Sequence, residues 1–384
     1  MQTIPLVDVR AEYAPLIPRL EAAFREVLDG QGFIRGPNYW AFQEEAAAYL
    51  GVKRTIGVAN GTDALVLALE ALGVGPGDEV VCPAFTFYAT AESVARRGAT
   101  PVFADIDPAT LNLDIEDTAA KVTDRTRAII PVHLFGRMMD VRPLLELGVP
   151  VLEDAAQAFG APEVARHGAI STFSFYPTKN LFCLGDGGLV ATNDDELAER
   201  VKLLSFHGSR DKTDFELVGY NSRLDELQAA FLRIFLPELA GWNEARRAAA
   251  ARYAELGLGE LVEIPQDEPG HVYHLFVCRS RERDAIRATL SEAGIASATY
   301  YTTPLHLQPS LRYLGYEPGS LPATELAGTE NFSLPLWPGI PVETQERVVE
   351  VVRSAVGVAT TGVGSTEPAS SGGVGFAGAG AGTA

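Results

Sequence analysis

From about residue 50 the chain alternates short, β-branched apolar runs with stretches of helical periodicity, and this alternation restricts the fold more than any other feature. TIGVA (55–59) precedes DALVLALEAL (63–72), whose apolar residues recur at helical spacing. EVVCPAF (79–85) leads into a helix ending near Arg97, and TPVFADI (100–106) follows. AIIPVHL (128–134), a helix near 140–147, VPVLEDA (149–155), STFSFY (171–176) and GLVATN (188–193) continue the series. Short strands separated by helices predict an α/β fold: a large, mostly parallel central sheet with helices on both faces. Ligands of such sheets gather at the carboxyl ends of the strands, so the residues just after each strand carry the functional interest.

Beyond residue 223 the rhythm changes. Helices fill 223–257, then HLFVCR (274–279), a helix near 281–294 and IASATYY (295–301) read as a smaller C-terminal α/β domain. The expected division is a large domain over 1–240, a small one over 241–356 and a disordered Gly/Ala-rich tail over 357–384. The formal net charge of −19 argues against a nucleic-acid partner, which needs a basic surface. No apolar run reaches membrane-spanning length, and the first residues have neither the basic start nor the apolar core of a signal peptide. Cys82, Cys183 and Cys278 lie far apart without a CxxC pair, as in a reduced, cytoplasmic protein without structural zinc. His271 and His274 lack a third ligand and read as structural, so no metal site is expected.

Three segments carry chemistry. Ala59-Asn60-Gly61-Thr62-Asp63 lies between a strand and a helix, where free N–H groups and the helix dipole suit a phosphate. An ordinary cap by Asn60 or Thr62 explains the same residues. In Val151-Leu152-Glu153-Asp154-Ala155-Ala156-Gln157 an apolar strand runs into two acids, and a buried carboxylate there needs a cation. A pyridinium nitrogen would serve, while a helix cap is the plainer alternative. In the run 171–180, Lys179 stands among hydroxyl-bearing and aromatic residues before a Gly-rich turn. A surface charge is the common role of such a lysine, but these neighbours allow a partly buried amine able to form a Schiff base. A phosphate cradle, an acid after a strand and a lysine about two dozen residues later follow the order that a pyridoxal-phosphate (PLP) site needs.

At these residues the sequence resembles the DegT/DnrJ/EryC1/StrS family of sugar aminotransferases, within the fold-type I PLP-dependent transferases. The matching stretches include GTDALVLAL (61–69), PAFTFYATAESV (83–94), PVHLFGRMMD (131–140), EDAAQAFGA (153–161), STFSFYPTKN (171–180), NSRLDELQAA (221–230) and YYTTPLHLQP (300–309). The resemblance implies that Lys179 binds PLP as a Schiff base and shuttles a proton, and that Asp154 pairs with the ring nitrogen. It further implies Gln157 near the ring hydroxyl, Phe87 on the ring face, and Gly61, Thr62 and Ser174 at the phosphate. Asn221 would reach the phosphate from the neighbouring subunit, making a homodimer with shared active sites. His306 and, more weakly, Tyr301 would lie near the sugar.

The implied reaction moves an amino group from L-glutamate to a nucleotide-linked keto-6-deoxy sugar in amino-sugar biosynthesis. C4 of dTDP-4-keto-6-deoxyglucose is the favoured position, with a dTDP-3-keto-6-deoxyhexose 3-aminotransferase as the alternative; an inositol-type ketone is a further candidate. A dehydratase of the same family would carry histidine in place of Lys179, and a non-catalytic sugar- or PLP-binding relative would need no such lysine. Two departures from the family pattern stand out: a short connection over Ala158–Thr172, and bulky Phe182 and Cys183 after the lysine. Both are expected to border the substrate side.

Overall fold

In the computed structural model residues 3–361 are described. The expected tail lies outside them, except that 357–361 continue the last helix, Val342–Thr361. Seven strands line up in the main layer: β1 (Arg54–Val58), β2 (Glu79–Pro83), β3 (Thr100–Ala104), β4 (Thr126–Ile129), β5 (Leu152–Asp154), β6 (Ile170–Ser174) and β7 (Gly188–Thr192). They form the segments β1-β7-β6-β5 and β3-β2-β4. Parallel bridges Ile129↔Val151 and Val132↔Asp154 join β4 to β5.

The result is an α/β fold with a mixed sheet. The pairs β2–β3, β2–β4 and β5–β6 are parallel, whereas β7 runs antiparallel to both β1 and β6. Only β7 breaks the mostly parallel order, and for a local reason. The connection from β6 to β7 contains no crossover helix, so the chain returns as a hairpin does. Sheet residues alternate between two apolar layers. Val190 joins Ile56, Val58, Leu65 and Leu69 on one face, while its neighbours Leu189 and Ala191 join Phe42, Phe173 and Leu232 on the other. Burial on both faces explains why these strands read as nearly continuous apolar runs.

Strands β8 (Phe276–Arg279) and β9 (Asn331–Leu334) pair antiparallel against the helices Arg283–Glu292 and Val342–Thr361. The stretch 295–301, expected as a strand, forms only the single bridges Ile4↔Ile295 and Ala298↔Ser333. The Asn331 side chain displaces a ladder there: its Oδ1 accepts from Tyr300 N–H and its Nδ2 donates to Tyr300 O, both at 2.9 Å. Near the N-terminus, Ile4 and Val7 pack onto the same C-terminal layer.

The register sets up the site. Gly188 pairs with both Val58 and Ser174, so the turn after β1 and the end of β6 meet across β7. Asp154 and Ser174 end adjacent parallel strands.

Candidate active site

Helix Gly61–Ala71 starts directly beside Ser174. Asn60 caps it, its Oδ1 accepting the Asp63 N–H at 2.8 Å. The cap and the cradle coexist, because the first helical N–H groups, at Gly61 and Thr62, find no acceptor within the helix. Glycine is needed on both sides of this contact. A Cβ on Gly61 would stand 2.7 Å from Ser174 Cβ, and one on Gly188 would stand 2.4 Å from Asn60 O.

The two acids after β5 serve different surroundings. Glu153, fully buried, accepts from His133 Nε2 at 2.9 Å, Gly168 N–H at 2.7 Å and Ala165 N–H at 3.3 Å. His133 Nδ1 accepts the Met139 N–H at 3.1 Å, which leaves Nε2 as the protonated donor. Burial alone would raise the Glu153 pKa, but His133 and the two N–H groups outweigh it and hold the carboxyl below its ordinary value. Asp154 accepts the Thr90 hydroxyl at 3.0 Å and the Ala156 N–H at 3.2 Å. Here burial prevails and pushes the pKa up, against the Ala156 N–H, the Thr90 hydroxyl and the charge of Lys179. A cation against Asp154 would restore its ionised form.

Lys179 sits in the turn after β6, its N–H bonded to Tyr176 O at 2.8 Å. The next residue anchors the turn: Asn180 Nδ2 donates to Asn243 Oδ1 at 2.7 Å and to Val272 O at 2.8 Å. Desolvation lowers the Lys179 pKa to about 8, although Asp154 opposes the shift. A large share of the amine is therefore neutral and nucleophilic at mildly alkaline pH.

Gln157, three residues beyond Asp154, accepts the Phe135 N–H at 2.6 Å and donates from Nε2 to Tyr301 Oη at 3.2 Å. Phe87 lies on the loop between β2 and helix Ala89–Arg96, 56% exposed and three residues before Thr90. Asn221 is on the surface beside Phe206 and Arg223. His306 is placed differently: its buried ring bonds Glu325 Oε1 at 3.1 Å through Nε2 and packs edge-on to Tyr316. Its hydrogen bond and its ring contact go to Glu325 and Tyr316, not to Lys179, Asp154 or Gln157.

Phe182 and Cys183 face the core instead of the substrate side. The Phe182 ring lies 4.8 Å from Phe235 and 5.8 Å from Trp242, and Cys183 Sγ bonds Phe175 O at 3.2 Å. The short 158–172 connection likewise packs inward: Phe159 joins the core, and Ala165 and Gly168 wrap Glu153. Thr90, Thr86, His133 and Phe135 belong to the site surroundings but are not singled out by the sequence. A threonine in a loop, another in a helix and a histidine after a strand carry no spacing signal of their own.

The residues present fit PLP: a glycine-dependent cradle for a phosphate, a buried acid lacking an ion pair for a ring nitrogen, and a desolvated lysine for an aldehyde. The model of the DegT/DnrJ/EryC1/StrS aminotransferase family matches residues 17–353. A pleiotropic regulatory protein of Geobacillus stearothermophilus is 46% identical, covering 91% of this chain and 97% of that protein. A UDP-N-acetyl-3-dehydro-alpha-D-glucosamine 3-aminotransferase of Acidithiobacillus ferrooxidans is 43% identical over the same shares. The dTDP-3-amino-3,4,6-trideoxy-alpha-D-glucose transaminase of Streptomyces venezuelae is also 43% identical, covering 91% of this chain and 95% of its own. Among solved structures, S. venezuelae DesV in complex with a ketimine intermediate superposes with a TM-score of 0.90 at 41% identity, covering 93% and 99% of the two chains. The chain therefore belongs to the DegT/DnrJ/EryC1/StrS aminotransferase family and is a PLP-dependent sugar aminotransferase.

Proposed function

We propose that the protein transfers the amino group of L-glutamate to C3 of a nucleotide-linked 3-keto sugar. The observation that carries the catalytic part is a buried Asp154 at the end of β5 that feels the charge of a desolvated Lys179 in the turn after the adjacent strand β6. The choice of C3 over C4, the position favoured from the family resemblance, is supported by relatives whose names specify 3-amino products on both UDP and dTDP sugars.

When bound, PLP supplies an electron sink for the bonds at the amine-bearing carbon. Lys179 holds the cofactor through its Nζ and, once displaced, moves a proton with that same amine. Asp154, kept in place by Thr90 and Ala156, holds the ring nitrogen protonated. Gly61, Thr62 and Ser174 bind the phosphate, Gln157 orients the ring oxygen, and Phe87 covers a ring face. Tyr301 and His306 are assigned to the sugar side, His306 through the loop that it stiffens with Glu325. Asn221 reaches the phosphate of a second subunit in a homodimer, and its surface position suits that role. We place the enzyme in the cytoplasm, in keeping with three buried, unpaired cysteines.

The test is the visible absorption of the PLP-loaded protein. L-Glutamate is expected to bleach the band, and a 3-keto nucleotide sugar to restore it faster than its 4-keto isomer. Faster recovery with the 4-keto sugar would return the assignment to C4. A protein with no visible band, acting as a regulator as the name of one relative suggests, would remove the catalytic reading.

A further inference from the structure

Gln157 is gripped by two aromatic residues that both adopt left-handed backbone conformations, Phe135 at φ 56° and Tyr301 at φ 54°. Bulky residues enter this region only where the surroundings enforce it. Three contacts enforce it here. Val272 N–H bonds Gly136 O at 2.9 Å beside Phe135. Asn331 clamps both backbone groups of Tyr300. The Phe135 and Tyr301 rings lie parallel at 6.1 Å, with the buried Phe85 edge-on to Tyr301 at 5.3 Å.

The donor inventory then fixes the amide. Phe135 N–H can only donate, so the atom it meets at 2.6 Å must be Gln157 Oε1. Nε2 in turn can only donate, so Tyr301 Oη is its acceptor at 3.2 Å. A flipped amide would set two donors against each other at Phe135. One Nε2 proton is left over, and its direction follows from the other two bonds.

We propose that Tyr301 is a positioning residue for Gln157: the Phe135 N–H sets which way the amide faces, and Tyr301 ties down its Nε2 end so that the second Nε2 proton is held for the cofactor's ring oxygen. The segment 295–307 thereby tunes the Schiff base at Lys179 without touching it. This rests on the cofactor assignment above, and it gives Tyr301 work beyond any contact with sugar. A donor on the ring oxygen competes with the protonated Schiff-base nitrogen for that oxygen. Loosening the donor therefore raises the pH at which the nitrogen releases its proton.

The experiment is a pH titration of the visible band in the PLP-loaded protein, comparing wild type, Tyr301→Phe, Gln157→Leu and the double variant. Phenylalanine keeps the ring stack and removes only the phenol oxygen. Both single variants are expected to raise the midpoint, each by about half to one pH unit, as the loss of one ordinary hydrogen bond implies. The double variant is expected to match Gln157→Leu alone, because the two residues act as one unit. Additive shifts would overturn the proposal by showing that Tyr301 acts independently of Gln157. An unchanged midpoint in Tyr301→Phe, with or without a lower melting temperature, would reduce the tyrosine to a structural role. Absence of a visible band that borohydride fixes on Lys179 in the wild type would instead defeat the cofactor assignment itself.

Discussion

Lys179 and Asp154 are set against each other by burial and held together by charge. Desolvation brings the amine down to about 8, and the Asp154 charge keeps it from falling further. Only the neutral amine attacks an aldehyde, so capture of PLP by the cofactor-free protein is expected to rise with pH and reach half its plateau near pH 8. Asp154→Asn removes the opposing charge and shifts that midpoint lower; stopped-flow capture rates across pH check both. Lys179→Ala abolishes turnover, read as loss of glutamate-dependent bleaching. The glycine contacts give a second expectation. Gly188→Ala drives a methyl group into the Asn60 carbonyl and is expected to cost about 1–3 kcal/mol, measured by urea unfolding. At this scale the sequence exposes residues with a distinctive type at or just after a strand end, such as Asp154, Gly61 and, in the turn after β6, Lys179. It hides Thr90 and His133, whose importance lies in whom they meet across the sheet.

Elements obey the same division. Most of the strands β1 to β7 are legible because they lie in or beside β-branched apolar runs buried on both faces, yet the direction of β7 is not in its composition. IASATYY has the β-branched and aromatic content of a strand, but the Asn331 side chain takes the backbone groups that a ladder would use. Strand β9, which supplies that asparagine, goes unread beside the prolines that follow it. Between elements, the buried pair Arg246–Glu12 at 2.8 Å ties the short helix Val9–Tyr13 to the long helix Leu239–Glu255. Burial pushes Glu12 up and Arg246 down despite their attraction, so desolvation opposes the pair. Glu12→Ala leaves an uncompensated guanidinium and is expected to cost about 3–5 kcal/mol. Replacing both residues with Leu and Met is expected to be close to neutral; urea unfolding of the two variants beside the wild type decides.

For the whole molecule, Phe24, Phe33, Ile34 and Trp40 are each more than two-fifths exposed on the N-terminal part of the chain, which is unusual for a free surface. The homodimer proposed above would cover such residues and bring Asn221 to its neighbour's site. Mixing Lys179→Ala with Asn221→Ala subunits tests this: each mixed dimer regains one intact site, so about a quarter of wild-type activity returns after random exchange. Inactive mixtures, or sedimentation as a monomer, would defeat shared sites. The sequence by itself determined the α/β class, the order of strands and helices, and the three segments that adjoin at the candidate site, because apolar periodicity and glycine-bearing turns are local properties. Tertiary structure alone decided the antiparallel return of β7, the inward turn of Phe182, the partnership of His306 with Glu325, and the grip of Phe135 and Tyr301 on Gln157. Each of these joins groups distant in sequence, where buried donors must find acceptors and side chains must fill space, and no local pattern encodes which partner is found.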